Sequence, residues 1–132
     1  MKQLLYILII TFVMVSCGTS SKVTTTTNSD EVPVKIANDS LQYEIIIIDN
    51  GFNAYLHSIA KPKNYYSQQY YETKNKFYVT EWNIRAQNPL RYNDSIYANK
   101  IDYDFNVDYG LDVNYKLYNY FKFVEYKYRQ RF

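Results

Sequence analysis

Three glycines and three prolines in a chain of 132 residues leave few places where the backbone can reverse tightly. A turn-rich β-sandwich needs a turn signal about every 8–12 residues, so this chain has to be built from longer elements. Cys17 is the only cysteine, which excludes an internal disulfide framework and makes the fold depend on its apolar core. From about Val32 to Phe132 runs one domain of roughly 100 residues, long enough for a single core, and no repeat divides it.

Five segments of that domain have readable patterns. Tyr43–Ile48 holds four consecutive isoleucines and is closed by Asp49-Asn50-Gly51. Stiff β-branched residues in so short a run predict a strand buried on both faces. Phe52–Ala60 predicts a short helix ended by Lys61-Pro62, because proline disfavours helix at the residue before it. Tyr65–Gln87 predicts the longest helix. Tyr71, Asn75, Tyr78, Val79, Trp82 and Ala86 share one face of it, Lys74, Lys76, Glu81 and Arg85 flank that face, and Asn88-Pro89 stops it. Ile101, Tyr103 and Phe105 alternate with Asp102 and Asp104, the pattern of a half-buried strand, and Tyr109-Gly110 marks a turn. Leu111–Arg131 reads as a helix with Asp112 as N-cap, with Val113, Leu117, Tyr120, Val124 and Tyr128 on one face and basic residues at the C-terminal end. Partial alternation at Phe121-Lys122-Phe123 also fits a strand there. The sum is a small α+β domain, a short sheet packed by two or three helices.

The N-terminal residues have a different composition. Lys2 supplies a positive start, Leu4–Val15 is an apolar run of 12 residues, and Ser16 precedes Cys17. Twelve residues are too few to span a bilayer, which takes about 20, but they fit the apolar region of an export signal. The context Met14-Val15-Ser16-Cys17 resembles the lipobox of bacterial lipoproteins, with the last two positions matching well. The resemblance implies removal of residues 1–16 and attachment of acyl chains at Cys17. Two or more acyl chains hold a protein stably, whereas a single chain binds only marginally. The other readings are an ordinary secretory signal with a chance cysteine, or an uncleaved helix. Residues 17–31, rich in Ser and Thr, read as a tether, because they cannot bury enough surface to offset the entropy of ordering. No aspartate and no acidic run follows Cys17, and by analogy this points to the outer membrane, facing the periplasm. The covalent lipid is the only non-protein group expected.

Charge and chemistry narrow the function further. The formal net charge of +2 falls when Lys2 leaves with the signal, and so near-neutral a chain offers no basic surface for nucleic acid. His57 is the only histidine, there is no glycine-rich phosphate loop, and no zinc spacing can be built. A carboxylate pair of Glu81 with Asp102, Asp104 or Asp108 is the residual route to general acid–base catalysis. Oxygen ligands at Asp102, Asp104, Asn106 and Asp108 resemble the start of a calcium loop. The match fails at Val107, where the loop needs glycine, and at Val113, where it needs a bidentate glutamate. The abundant chemistry is aromatic, with 17 tyrosines. Tyrosine carries an apolar body and a polar tip, and is common where a surface meets a partner. AT-rich codons would also raise its frequency, with tyrosine filling core positions.

Glu81-Trp82-Asn83, Asn88-Pro89, Arg91-Tyr92, Ile101–Asp104, Asp108–Leu111 and Asn114–Phe121 together resemble a family of small uncharacterised bacterial lipoproteins, defined only as a domain of unknown function. The resemblance covers most of Tyr43–Phe132. It implies an anchored location and carries no catalytic residues. Two functions are therefore expected. In the first, an interaction lipoprotein docks on another envelope protein through an exposed aromatic patch near Tyr92, Tyr97 and Tyr109. In the second, a module binds peptidoglycan or another glycan in a concave pocket that includes Trp82, Arg85 and Arg91.

Overall fold

Val34-Lys35-Ile36 and the isoleucine run pair as a hairpin because both place apolar residues at alternate positions, so that one face can be buried as a unit. In the computed structural model, which describes residues 34–132, β1 (Val34–Asn38) and β2 (Tyr43–Ile47) are antiparallel. Val34 lies opposite Ile47, Ile36 opposite Ile45 and Asn38 opposite Tyr43. The expected signal (1–16), Cys17 and the tether (17–31) lie outside the described residues.

The turn between the strands is a 3-10 turn, Asp39–Leu41. Asn38 Oδ1 accepts from the Ser40 N–H at 3.1 Å, and Gln42 closes the turn in the left-handed region, at φ 53°. The strand expected to be buried on both faces is buried on one. Ile36 and Ile47 are in the core, while Ile46 and Ile48 are 56 % and 75 % exposed. A two-stranded sheet with helices on one side has a wet outer face, and the run of isoleucines reflects strand stiffness rather than double burial. β1 was not expected at all, because two apolar residues around one lysine are too short a pattern to stand out.

Gly51, at φ 94°, turns the chain from β2 into α1 (Phe52–Ser58), which buries Phe52 completely. After Pro62 and a 3-10 turn at Lys63–Tyr65, Ser67 Oγ accepts from the Tyr70 N–H at 3.2 Å and caps α2 (Gln68–Ala86). The helix therefore starts three residues later than the apolar spacing suggests. Tyr71, Asn75, Val79 and Trp82 form the buried face as expected, and Arg85, expected at the flank, is buried with them.

α3 (Gly110–Tyr128) settles the ambiguity of the C-terminal segment in favour of helix. It packs against α2, α1 and β1, so its buried surface is wider than one stripe and includes Val113, Asn114, Leu117, Phe121, Phe123 and Val124. Phe121 and Phe123 look like strand alternation in the sequence because they face different neighbours of the same helix. Asp112 does not cap it. Tyr109 holds the N-cap position, Asp108 Oδ1 accepts from the Gly110 N–H at 2.9 Å, and Asp112 pairs with Lys63 and Lys116.

The strand expected at Ile101–Phe105 does not form. Its alternation holds for Ile101 and Tyr103, which are buried between exposed Asp102 and Asp104, but fails at Phe105, which is 45 % exposed, and among the described residues no strand lies beside it. Asn83 of α2 takes the place of one. Its Nδ2 donates to the Ile101 carbonyl at 2.9 Å, and its Oδ1 accepts from the Ile101 N–H at 2.8 Å. One side-chain amide satisfies both peptide groups of one residue, as a neighbouring strand would.

Candidate functional site

Trp82 and Arg85 lie a turn apart on the buried face of α2, so the residues that pack there converge on them. Arg85 Nε donates to Glu81 Oε1 at 2.8 Å, Nη1 to the Tyr97 hydroxyl at 2.9 Å and Nη2 to the Arg131 carbonyl at 2.6 Å. Its guanidinium also lies over the rings of Tyr92, Tyr97 and Phe132, at 5.3, 5.5 and 4.8 Å from their centroids. Trp82 Nε1 donates to the Asn99 carbonyl at 2.8 Å, and its ring meets Tyr97 edge-on at 4.9 Å. Five of the sequence candidates, Trp82, Arg85, Arg91, Tyr92 and Tyr97, are thus neighbours, with Arg91 lying over the outer ring of Tyr92.

What they build is an internal fastening. Arg85 and Tyr97 are buried, and the guanidinium is committed to α2, to the loop carrying Tyr97 and to the C-terminal residues. Tyr109, the sixth candidate, is buried elsewhere, stacked with Tyr103 and tilted against Tyr43. An exposed patch of Tyr92, Tyr97 and Tyr109 therefore does not form, because two of its three rings are spent on the core. The tyrosine cluster around the start of α2, where Tyr66 and Tyr70 stack at 4.1 Å beside Tyr118, is half-buried.

The calcium candidates are not brought together as ligands. Asp104 Oδ1 accepts from both nitrogens of Asn106, and Asp108 Oδ1 accepts from Gln68 and from the Gly110 N–H. Among the described residues no group of three or more His, Cys, Asp or Glu side chains converges. Glu81 is tied to Arg85 rather than to the aspartates. His57 is exposed on the last turn of α1.

A buried polar network joins α2 to α3. Asn75 Nδ2 donates to the Asn114 carbonyl, and the Tyr103 hydroxyl donates to Asn114 Oδ1 at 2.6 Å. Burial, helped by the nearby Glu72 charge, pushes the Tyr103 hydroxyl up to about 12.

A groove of about 640 Å3 runs along β2. One wall is β2 itself, the other is the segment 98–102, and Trp82, Tyr120 and Tyr128 line it between them. Both walls present unpaired peptide groups. Asn38 and Tyr43 close the hairpin, so Asn38, Ile36 and Val34 share bonds with Tyr43, Ile45 and Ile47. The Lys35 carbonyl fits this parity, pointing off the other edge of β1 to Lys116 Nζ. The N–H and C=O of Glu44 and Ile46 therefore point into the groove, and they have no partner among the described residues. On the other wall the Asn99 carbonyl and both Ile101 peptide groups face α2, so those of Lys100 and Asp102 face the groove, also without partners. At Asp104, the next residue of that parity, the Tyr109 hydroxyl accepts from the N–H at 2.9 Å and closes that end. Tyr43, also in the groove wall, keeps a buried hydroxyl with no hydrogen-bond partner among the described residues. Nothing in the sequence marks this groove, because its defining groups are peptide groups.

The fold and groove define a small α+β domain with an open sheet edge and an aromatic-lined slot. The chain belongs to a family of unknown function, DUF6146, which it matches over residues 5–132. No curated protein and no solved structure matches it. Among the described residues no helix is long and apolar enough to cross a membrane.

Proposed function

We propose that this protein is a lipid-anchored interaction protein of the bacterial cell envelope, held by acyl chains on Cys17 and docking on another envelope protein. The observation that carries the docking half is the groove along β2, whose two walls hold peptide groups that neither the sheet nor α2 satisfies. Unpaired edges of this kind are ready templates for a second polypeptide, and native proteins cover them when they are not used. The anchoring half rests on the charged start, the short apolar run and the Ser16-Cys17 junction. The family match begins inside the apolar run and continues through Cys17 into the domain, so these segments belong to one family pattern. The absence of aspartate after Cys17 favours the outer membrane, facing the periplasm.

The test is in-cell crosslinking of the full-length protein, followed by mass spectrometry of what co-purifies. One dominant protein partner supports the reading. Cys17→Ser should move the protein from the membrane fraction to the soluble fraction, and its retention in the membrane would remove the anchor. A second reading, a glycan-binding module, draws on the aromatic residues Trp82, Tyr120 and Tyr128 in the same groove. Co-purified muropeptides without a stoichiometric protein, with retention on purified sacculi, would favour it instead.

A further inference from the structure

We infer that the groove along β2 receives an extended strand of a partner protein, which completes a three-stranded sheet and carries a basic residue at its outward position. This deepens the interaction reading and rests on it.

The hydrogen-bonding capacity of the slot selects a strand. Glu44 and Ile46 offer two N–H and two C=O groups from one side, and Lys100 and Asp102 offer the same from the other. A strand lying between them satisfies both rows at once, the β-augmentation mode of peptide recognition. β2 has five residues and sets a footprint of about 17 Å, the rise of five residues in a strand. A carbohydrate has no ladder of alternating donors and acceptors at that repeat.

The opposite edge of β2 shows which side chains suit it. There the partner is Val34-Lys35-Ile36. Its apolar residues point into the core, and Lys35 Nζ sits on the outer face, 2.9 Å from Glu44 Oε2. The slot has the same polarity. Ile45, Ile47 and Ile101 line it together with Trp82. Glu44 and Asp102 stand on its outer side, one on each wall, and Asp102 has no ion pair or hydrogen bond among the described residues. Alternating apolar and basic residues therefore match both layers. A second copy of this chain does not fit through its own sheet. The occupant needs both of its edges free, and β1 occupies one edge of β2 in every copy. The acidic outer rim at Glu44 and Asp102 favours a loop or terminal segment of another protein, carrying basic residues and extended before it binds or on binding.

The test uses the full-length protein in detergent micelles and the acetylated, amidated peptide TVKVKVT. Amide hydrogen exchange is read residue by residue. At saturating peptide the amides of Glu44, Ile46, Lys100 and Asp102 should slow together, each by about ten-fold, as expected for one added hydrogen bond. A peptide with proline at its centre should not slow them, and one with glutamate in place of lysine should bind more weakly. Ile46→Pro should abolish the effect, since its N–H points away from β1 and the hairpin bonds survive. If that variant fails to fold, Glu44→Lys is the second test. It removes only an exposed pair and should weaken the lysine peptide about two- to five-fold while strengthening the glutamate peptide. Unchanged exchange at these four amides, or slowing confined to other residues, overturns the inference. The same slowing without peptide, rising with protein concentration, assigns the slot to a second copy and also overturns it. A partner captured in cells with no peptide effect sinks the strand inference alone, whereas strand binding with no envelope partner sinks the interaction reading.

Discussion

Tyr103 shows what a tyrosine-rich composition does at the scale of one residue. Its ring is buried against Tyr109, and its hydroxyl donates to Asn114 Oδ1. The sequence places Tyr103 on the buried side of an alternating segment, but its partner comes from α3 and is invisible there. Because burial raises its pKa from about 10 to about 12, the folded protein keeps that proton where the unfolded chain has lost it. The resulting stability is complete below pH 10 and is lost as the pH climbs from about 10 to about 12. In a spectrophotometric alkaline titration, Tyr103→Phe should remove one late-titrating phenol and flatten the loss of stability in that window. Several other tyrosines are also raised by burial, Tyr43 and Tyr120 among them. Core service thus accounts for much of the tyrosine content, and only part of it, as at Tyr65 and Tyr126, is exposed.

At the scale of the element, the informative case is the strand that does not form. Ile101 and Tyr103 obey strand periodicity and are buried, whereas Phe105, the next residue of the same pattern, is exposed. Periodicity reports which side chains are inside but not whether a neighbouring chain is present to pair the backbone. Here Asn83 does that work from a helix. Asn83→Leu should leave the Ile101 N–H and C=O unpaired in a partly buried position and cost about 2 kcal/mol, measured by urea denaturation. The Ile101 amide should also lose its protection against hydrogen exchange. Asn83 falls at i+1 after Trp82, and an asparagine amide is a weak signal on its own, so this role is not legible in the sequence. The helices were more legible because their caps and apolar spacings are local. Ser67 shifts the start of α2, and the breadth of contact around α3 explains why Phe121 and Phe123 looked strand-like.

At the scale of the whole molecule, Arg85 ties three distant parts together: α2, the loop that carries Tyr97, and the C-terminal residues 131–132. Arg85→Met keeps much of the stem's packing but removes the guanidinium. It should destabilise the domain by about 3 kcal/mol, since charged hydrogen bonds and buried acceptors are lost together. Thermal unfolding followed by circular dichroism checks this, and a change under 1 kcal/mol would show that the rings alone hold the C-terminal residues. Sequence reasoning assigned Tyr92, Tyr97 and Tyr109 to an exposed patch and Trp82, Arg85 and Arg91 to a separate pocket, whereas the structure brings Trp82, Arg85, Arg91, Tyr92 and Tyr97 together and buries Tyr109 apart from them. It could not tell a binding face from a fastening, because both use the same residue types, and the difference is whether the groups are already satisfied inside. The sequence by itself determined the α+β class, the first two helices and β2, left 111–131 between helix and strand, and raised the export-and-anchor expectation at Cys17, all of which rest on local composition and period. The tertiary structure decided what pairs with what: β1 on β2, Asn83 in place of a strand, and a slot between β2 and residues 98–102. Hydrogen bonding between distant peptide groups depends on where the backbone runs, and backbone groups carry no residue-specific signature in a sequence.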